Sequence, residues 1–498
     1  MRKILNKIIM FAVCAVLLSC NDWLDVDSST NVKGEELFSK PDGFYTAVNG
    51  VYRLLGDVSL YGESLTWGLA SVIGNNYDES KLPEKYANLS NYAYDENNNK
   101  ALIDPVWESG YSVIANCNYI IENIEGRDSS FFPLKQIEKD MILGEMLGVR
   151  AMMHFDLLRL FAPAPATHPS GAWMPYVTTY PCHSTKHLTV DEMLECIIRD
   201  LEQAKKLVAA HDTSTLDKYS ASMQTVNLRF YATSTLTAGG NFFGMRGVRM
   251  NYCAVSGILA RAYQYRNAPG DGEKAYRSAL DMYHFKKDRT WFKWTDWYTM
   301  EYGNKYIKMW DDILFAGYNA KLYDICAATR NMGNYFCYKN YKGSKDLFGD
   351  ELSDFRYKKF IAADGSSTRW EKNPDKSDAT IEKNQGPLAP VIRMSEVYYI
   401  MCEYLAGTEN EADLKQAKVF LKELKTARGS TTALDNLTAK DFLEVLYNDM
   451  TREFMSEGQT FFLYKRLNRP IYNGEQLKDM SRRWVLPRPY SEDAYSNL

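Results

Sequence analysis

Between Glu138 and Phe161 the apolar residues Ile142, Met146, Val149, Met153 and Leu157 recur at steps of three and four. That spacing puts them on one stripe of an α-helix. Pro163 and Pro165 close it, since proline cannot continue a helical hydrogen-bond ladder. Thr189-Val190-Asp191-Glu192 has the form of a capping box, in which the threonine hydroxyl and the glutamate side chain satisfy exposed backbone donors reciprocally. The helix it opens buries Met193, Ile197, Leu201 and Ala204. A similar start, Thr438 to Asp441, precedes Phe442, Leu446, Met450 and Phe454. A chain patterned this way folds as a mainly α protein.

Two segments read as helix pairs. Asn251 to Tyr265 is followed by a Pro/Gly turn at Ala268 to Gly272 and by Glu273 to Phe285, with Ala275 and Ala279 one turn apart. Met394 to Ala406 is followed by Gly407 to Asn410 and by Ala412 to Arg428, with Ala417 in a comparable place. Small residues at such positions let helices approach closely, as in tetratricopeptide hairpins, although no fixed period repeats here. Three stretches do not read as helix: Tyr61 to Pro105, Asp212 to Arg249 and Arg330 to Gln385. Irregular loops of that length usually carry function or stay disordered. No linker-like composition divides the chain, so residues 20–498 are expected to form a single domain with a helical framework and long irregular loops.

The N-terminus sets the compartment. Arg2, Lys3 and Lys7 precede the apolar run Ile8 to Leu18, then Ser19 and Cys20. A basic start, a short apolar run and a small residue before the cut describe a secretory signal peptide over residues 1–19; the run is too short for a bilayer, which needs about 20 residues. Cys20 at the cut offers the thiol that a bacterial lipoprotein uses for diacylglycerol attachment. The alternative is an ordinary signal peptide with a chance cysteine. Removing three basic residues and no acidic ones takes the net charge from −4 to −7, evenly spread, which argues against a nucleic-acid partner.

Catalytic chemistry finds little support. There is no CxxC and no His/Cys cluster at metal spacing, and Cys196, Cys253 and Cys402 fall in helical apolar patterns as buried thiols. His183 and His187 are four apart in a loop without a suitably placed glutamate, so no hydrolytic zinc site is expected. No phosphate loop or nucleophile elbow is present. The reading therefore assigns no catalytic residue, no metal and no cofactor. Arg452, Glu453 and Glu457 read as a charged helix face joined by intrahelical ion pairs.

Taken together and in order, the landmarks resemble the SusD/RagB family of outer-membrane lipoproteins. They are the acidic run Asp22 to Asp27 after Cys20, the helix Pro41 to Leu55, and Trp107, Tyr111, Ile114 and Asn116. Glu145 to Phe161 with its closing prolines, Asp354-Phe355-Arg356, and Ile392-Arg393 with Glu396-Val397 follow. Arg452 to Gln459 and Trp484 to Pro489 complete the series. Thr451 stands where the family has Glu, and Phe454 and Met455 replace a more polar pair. The resemblance implies a SusD-like α-helical fold with tetratricopeptide-like pairs, its N-terminal family region over about 20–240 and its C-terminal region over about 250–498. It also implies an outward-facing, lipid-anchored outer-membrane protein that is not an enzyme. Such a protein binds a glycan, or in some members a peptide, and passes it to a SusC-type TonB-dependent transporter.

A sugar ring has an apolar face that stacks on Trp or Tyr and hydroxyls that need polar partners, and such platforms belong on loops held by a rigid frame. Trp67 to Tyr77, with Asn75, Asn76 and Asp78, is one candidate; it corresponds to a region that carries ligand contacts in starch-binding relatives. Asp78 is alternatively a turn or cap residue. The second is the aromatic run Trp291 to Tyr298, containing Trp294 and Trp297; its three-residue spacing also fits a helix stripe packed on a core. Tyr335, Tyr338 and Tyr341 form a third. Two rival functions differ in class. A surface-anchored helical glycoside hydrolase would need two facing carboxylates, for which no motif appears. A solute receptor for an ABC importer would need alternating strands and helices, and the chain does not alternate.

Overall fold

Helix-favouring periodicity translates into a frame of packed helices. The computed structural model describes residues 34–182, 184–231, 240–302, 307–330, 336–338, 347–370, 383–472, 477–481 and 483–495. Residues 1–19, read as a signal peptide, Cys20, the acidic run Asp22 to Asp27, His183, Tyr335 and Tyr341 lie outside the described residues. The chain divides into two compact units, Met1–Phe44 and Tyr45–Leu498. In the first, the short helix Gly34–Leu37 is described and Phe38 packs on Phe44 with ring centroids 4.6 Å apart.

The frame of the second unit is built by α1 (Pro41–Leu55, which begins before the division), α2 (Asn97–Glu125), α3 (Gln136–Phe161), α4 (Val190–Asp212), α5 (Tyr252–Arg266) and α6 (Asp271–Lys287). It continues with α7 (Met394–Gly407), α8 (Glu411–Ala427), α9 (Ala439–Glu453) and α10 (Gln459–Arg466). α2 packs on α3, α3 on α4, α4 on α5, α5 on α6, α6 on α7, and α7 on both α8 and α9. The expected pairs α5–α6 and α7–α8 are present, with Ala275, Ala279 and Ala417 buried. The capping box forms as read: Thr189 Oγ1 accepts the Glu192 N–H at 3.2 Å and Glu192 Oε2 accepts the Thr189 N–H at 2.8 Å. Thr438 Oγ1 likewise accepts the Asp441 N–H. Among the described residues no helix is long and apolar enough to cross a membrane.

Several elements depart from the expectation. α3 is buried on every face rather than along one stripe, because its polar side chains find partners inside. Arg150 Nη2 pairs with Asp200 Oδ2 at 2.7 Å, and Glu145 Oε2 accepts the Tyr52 hydroxyl at 2.7 Å. His154 Nε2 accepts the Val177 N–H at 3.0 Å, which leaves the ring proton on Nδ1 for the Arg150 carbonyl at 2.9 Å; burial drives this imidazole down to about 3. The stretch Tyr61 to Pro105 contains the helices Leu69–Ile73 and Glu84–Ala87 and the first turns of α2. Pro105 removes one main-chain donor there without ending the helix,. Asp217–Gln224 and Val226–Phe230 are helical within the second stretch read as loop, and Phe355–Phe360 within the third. Cys253 and Cys402 are buried free thiols, whereas Cys196 is half-buried. An antiparallel pair, β1 (Ile313–Tyr318) with β2 (Leu388–Arg393), was not expected from periodicity; both strands are almost wholly buried.

The residues read as a charged helix face are interior. α9 ends at Glu453, so Glu457 lies past the helix and the two acids serve long-range partners. Glu453, fully buried, accepts Arg356 Nη1 at 2.8 Å, Arg428 Nη2 at 2.7 Å and Arg393 Nη1. Glu457 pairs with Arg393 Nη2 at 2.8 Å and with Arg369. Arg356 also engages Asp354 at 2.6 Å and Asp449 at 2.7 Å, and Arg428 engages Asp312. Burial pushes Glu453 up, but Arg428, Arg393 and Arg356 outweigh it and hold this carboxyl well below its usual range. Burial opposes and Arg356 with Lys425 likewise depresses Asp449. Arg452 turns away from the cluster to the Leu347 carbonyl and to Glu351.

Breaking a buried pair by removing one charge costs about 3–5 kcal/mol. Glu453→Gln is therefore expected to lower the unfolding free energy by roughly that amount in urea melts; a loss below about 1 kcal/mol would show that the cluster does not organise the fold. Carboxyls held low in the native state contribute stability that is complete above their unfolded value, near pH ~4, and lost as pH falls through their native values. Melts of the native chain should hold a steady midpoint from pH ~7 to ~5 and fall steeply below pH ~4, less steeply in Glu453→Gln.

Candidate functional site

The first aromatic candidate is interior. Trp67 is 1% exposed, with Phe336 at 5.3 Å and Trp370 at 6.4 Å between ring centroids. Tyr77 is buried too: its hydroxyl donates to the Trp67 carbonyl at 2.9 Å and its ring stacks on Tyr338 at 5.9 Å. The cavity that Trp67, Tyr77, Phe336 and Trp370 line measures about 10 Å³, room for a water molecule at most. Asn75 is buried in a left-handed turn with φ 55°, and Asn76 Nδ2 donates to Thr460 Oγ1 at 3.1 Å. Asp78 caps the turn Glu79–Lys81 by accepting the Ser80 N–H at 3.0 Å. In this conformation neither the Trp67 nor the Tyr77 ring offers a face to solvent.

The second candidate is built differently. After α6, Thr290 takes φ 56° and the chain leaves the helix axis. Residues 291–296 have no regular structure, and a short helix, Trp297–Tyr302, follows; the three tryptophans are therefore not a helix stripe. The charge cluster beneath holds the middle of this loop. Thr295 N–H donates to Asp312 Oδ1 at 2.6 Å, and the Thr295 carbonyl accepts Arg428 Nη1 at 2.7 Å. Trp294 is pinned: its Nε1 donates to Glu423 at 2.9 Å and its ring meets Tyr398 edge-on at 4.8 Å. Trp297 and Tyr298, by contrast, are 44% and 61% exposed, rings edge to face.

Trp291 is half-buried beside Phe285, ring centroids 5.1 Å apart, and the Arg289 guanidinium lies 4.9 Å from its ring. It lines an open groove of about 410 Å³ together with Gln224, Thr225, Arg229, Arg289, Lys293 and Asp311. That volume is in the range of small-ligand sites. Its wall combines an aromatic surface with amide, hydroxyl, guanidinium and carboxylate groups. Burial, with Asp312 alongside, raises Asp311 to about 6, while its Oδ2 accepts the Thr295 hydroxyl at 3.2 Å. Burial lowers Arg229 to about 10. Among the described residues no group of His, Cys, Asp and Glu is placed to hold a metal ion. The structure thus brings Trp291 to a groove, Trp297 to the surface and Trp294 into packing. Sequence reasoning missed Arg229 and Gln224, which sit in a stretch read as polar loop.

The family model for SusD-like proteins, described as "Starch-binding associating with outer membrane", matches residues 22–227. Over that stretch the chain is similar to the SusD-like family. The SusD-like protein P25 of Formosa agariphila is 26% identical over 172 residues, which are 33% of this chain and 31% of that relative's length. Solved structures share the fold over nearly the full chain. A SusD-like carbohydrate binding protein from Bacteroides vulgatus superposes with a TM-score of 0.65 at 17% identity, covering 92% of this chain and 97% of that one. A putative sugar binding protein from the same organism reaches 0.68 at 18% identity over 92% and 97%. A SusD superfamily protein from Bacteroides thetaiotaomicron reaches 0.66 at 19% identity over 92% and 98%. The mainly helical architecture read from periodicity is the one these structures share.

The different settings of the tryptophans separate packing from surface. Trp294→Phe forfeits the bond to Glu423 and is expected to destabilise by about 1 kcal/mol, whereas Trp297→Ala should stay within about 0.5 kcal/mol of the native chain. Equal losses for the two in denaturant titrations would contradict this placement of the loop.

Proposed function

We propose that this protein is a non-catalytic, lipid-anchored binding protein on the outer face of the outer membrane. It captures an oligosaccharide or polysaccharide and passes it to a SusC-type TonB-dependent transporter. The observation that carries the reading is the Trp291 groove on a SusD-like frame. Its aromatic wall suits the apolar face of a sugar ring, and its polar groups suit the hydroxyls. The family description, and the carbohydrate binding for which the Bacteroides vulgatus neighbour is named, support the same class of ligand. Asp311 is the single carboxylate lining the groove among the described residues, whereas glycoside hydrolysis uses two facing carboxyl groups; this favours binding over cleavage. Trp297 and Tyr298 extend the proposed surface; Trp67, Asn75, Tyr77 and Asp78 serve packing and turn formation instead.

Affinity electrophoresis and isothermal titration over a panel of polysaccharides test the reading. Trp291→Ala should weaken binding about tenfold or more, the scale of a lost aromatic contact, with Trp297→Ala weakening it less. Failure to bind any glycan or peptide would refute it, and release of shortened products from a bound polysaccharide would replace it by the hydrolase. The tether and the binding body should also be separable. Cys20→Ala is expected to abolish uptake in cells while leaving the affinity of the purified chain unchanged; weaker binding by that purified variant would overturn the division of labour.

A further inference from the structure

Ten arginines are buried among the described residues, and nine of them pair with a carboxylate. Arg229 does not. Its guanidinium, in a side chain only 1% exposed, donates to the main-chain carbonyls of Met223 at 2.9 Å, Trp291 at 2.5 Å and Asp311 at 3.4 Å. Its Nε is buried without a partner, and the Phe292 ring lies 4.1 Å away. Carbonyl dipoles solvate the cation but do not neutralise it, and a buried charge without a counter-ion is costly to hold. For the other nine buried arginines among the described residues the fold supplies the carboxylate.

The unneutralised cation sits in the wall of the Trp291 groove, and two more cations stand at its rim. Arg289 rests against Phe285 and Trp291 and donates Nη1 to the Thr213 carbonyl at 3.1 Å; neither it nor Lys293 forms an ion pair among the described residues. Asp311 is the one opposing charge, and its carboxylate turns to the Thr295 hydroxyl. Three cations against one carboxylate make a local positive field on a mature chain that carries a net charge of −7 once its three leader cations are removed from −4. An acidic protein repels polyanions over most of its surface, so a cationic groove on it selects for them.

We propose that the Trp291 groove takes a glycan segment bearing an anionic group, a uronate carboxylate or a sulfate ester, with Arg289 and Lys293 contacting the charge and Arg229 holding the field beneath. The inference rests on the glycan-binding reading above and narrows its ligand class. Guanidinium groups suit both anions because their forked donors match two oxygens at once.

The full chain in detergent is titrated with an oligogalacturonate, a κ-carrageenan oligosaccharide, a neutral agaro-oligosaccharide and inorganic sulfate. The first two carry a carboxylate or a sulfate ester on a sugar, the third carries no charge, and the fourth is a free anion. Expected is affinity for one of the two charged sugars about tenfold or more above the neutral one, weakened by added salt. Arg289→Gln and Lys293→Gln should each lower it about fivefold or more without moving the melting temperature, since both are surface positions. Tightest binding to the neutral sugar, lost in Trp291→Ala, would overturn the anionic inference and leave glycan binding standing. No binding to any sugar, on this set and a broad neutral panel, would overturn both. Charged-sugar binding indifferent to both substitutions would overturn the assignment to this groove. Sulfate binding as tightly as the carrageenan oligosaccharide would reduce the site to a free-anion site and overturn it as a glycan selector.

Discussion

Glu453 accepts three guanidinium groups at once, and the C-terminal half of the molecule is arranged around that fact. Arg356 arrives from the short helix capped by Asp354, Arg393 from the end of β2, and Arg428 from the end of α8. Each has further partners in Asp449, Glu457 or Asp312. Such a cluster is weak evidence for net stability, because desolvation offsets much of the Coulomb gain. Its effect is geometric. A buried carboxylate with three donors leaves few alternative placements for the segments that carry them, whereas apolar contacts tolerate sliding.

The cluster also reaches the surface. Arg428 and Asp312 hold the carbonyl and the N–H of Thr295, and on either side of Thr295 stand Trp294 and Trp297. On the other flank, Arg229 grips the Trp291 carbonyl. A loop without regular structure is therefore fixed at the start and in the middle of its aromatic run by buried guanidinium groups. This is preorganisation: a ligand that meets an already ordered ring does not bear the entropy of ordering it. It explains how an irregular segment can serve as a platform on a helical frame.

What was legible in the sequence was local. Thr189 with Glu192, Thr438 with Asp441, and the small residues of the helix pairs act within one or two turns, so their consequences can be read from spacing. Glu453 and Glu457 mislead for the opposite reason. With Arg452 beside them they read as one charged, solvated helix face, and only the end of α9 at Glu453, together with arginines 25 to 97 residues away, makes them interior. Trp291, Trp294 and Trp297 show the same limit: a period of three fits a helix, but Thr290 with positive φ and the tertiary grip on Thr295 win over it. Trp67 and Tyr77 sit in a region read as exposed loop, yet aromatic residues distant in sequence, Phe336 and Trp370, close over them. The strands β1 and β2 are buried almost throughout, and their largely apolar runs carry no alternation to betray them,.

The contrast between Arg229 and the other buried arginines follows from the same physics. Where a buried guanidinium faces a carboxylate, the pair is closed to anything else. Where the guanidinium holds only main-chain oxygens, its charge stays available to the adjoining space. In the proposed reading, structure and selectivity are thus assigned to different members of one residue type by what faces them. Asp311 marks the border between the two regimes. It neighbours Asp312 of the closed cluster, lines the open groove, and is raised to about 6 by burial and by that neighbour. Being partly neutral near pH ~6, it subtracts less from the field of Arg229 than an ordinary aspartate would. The groove keeps its positive character because the cluster behind it has claimed the stronger carboxylates.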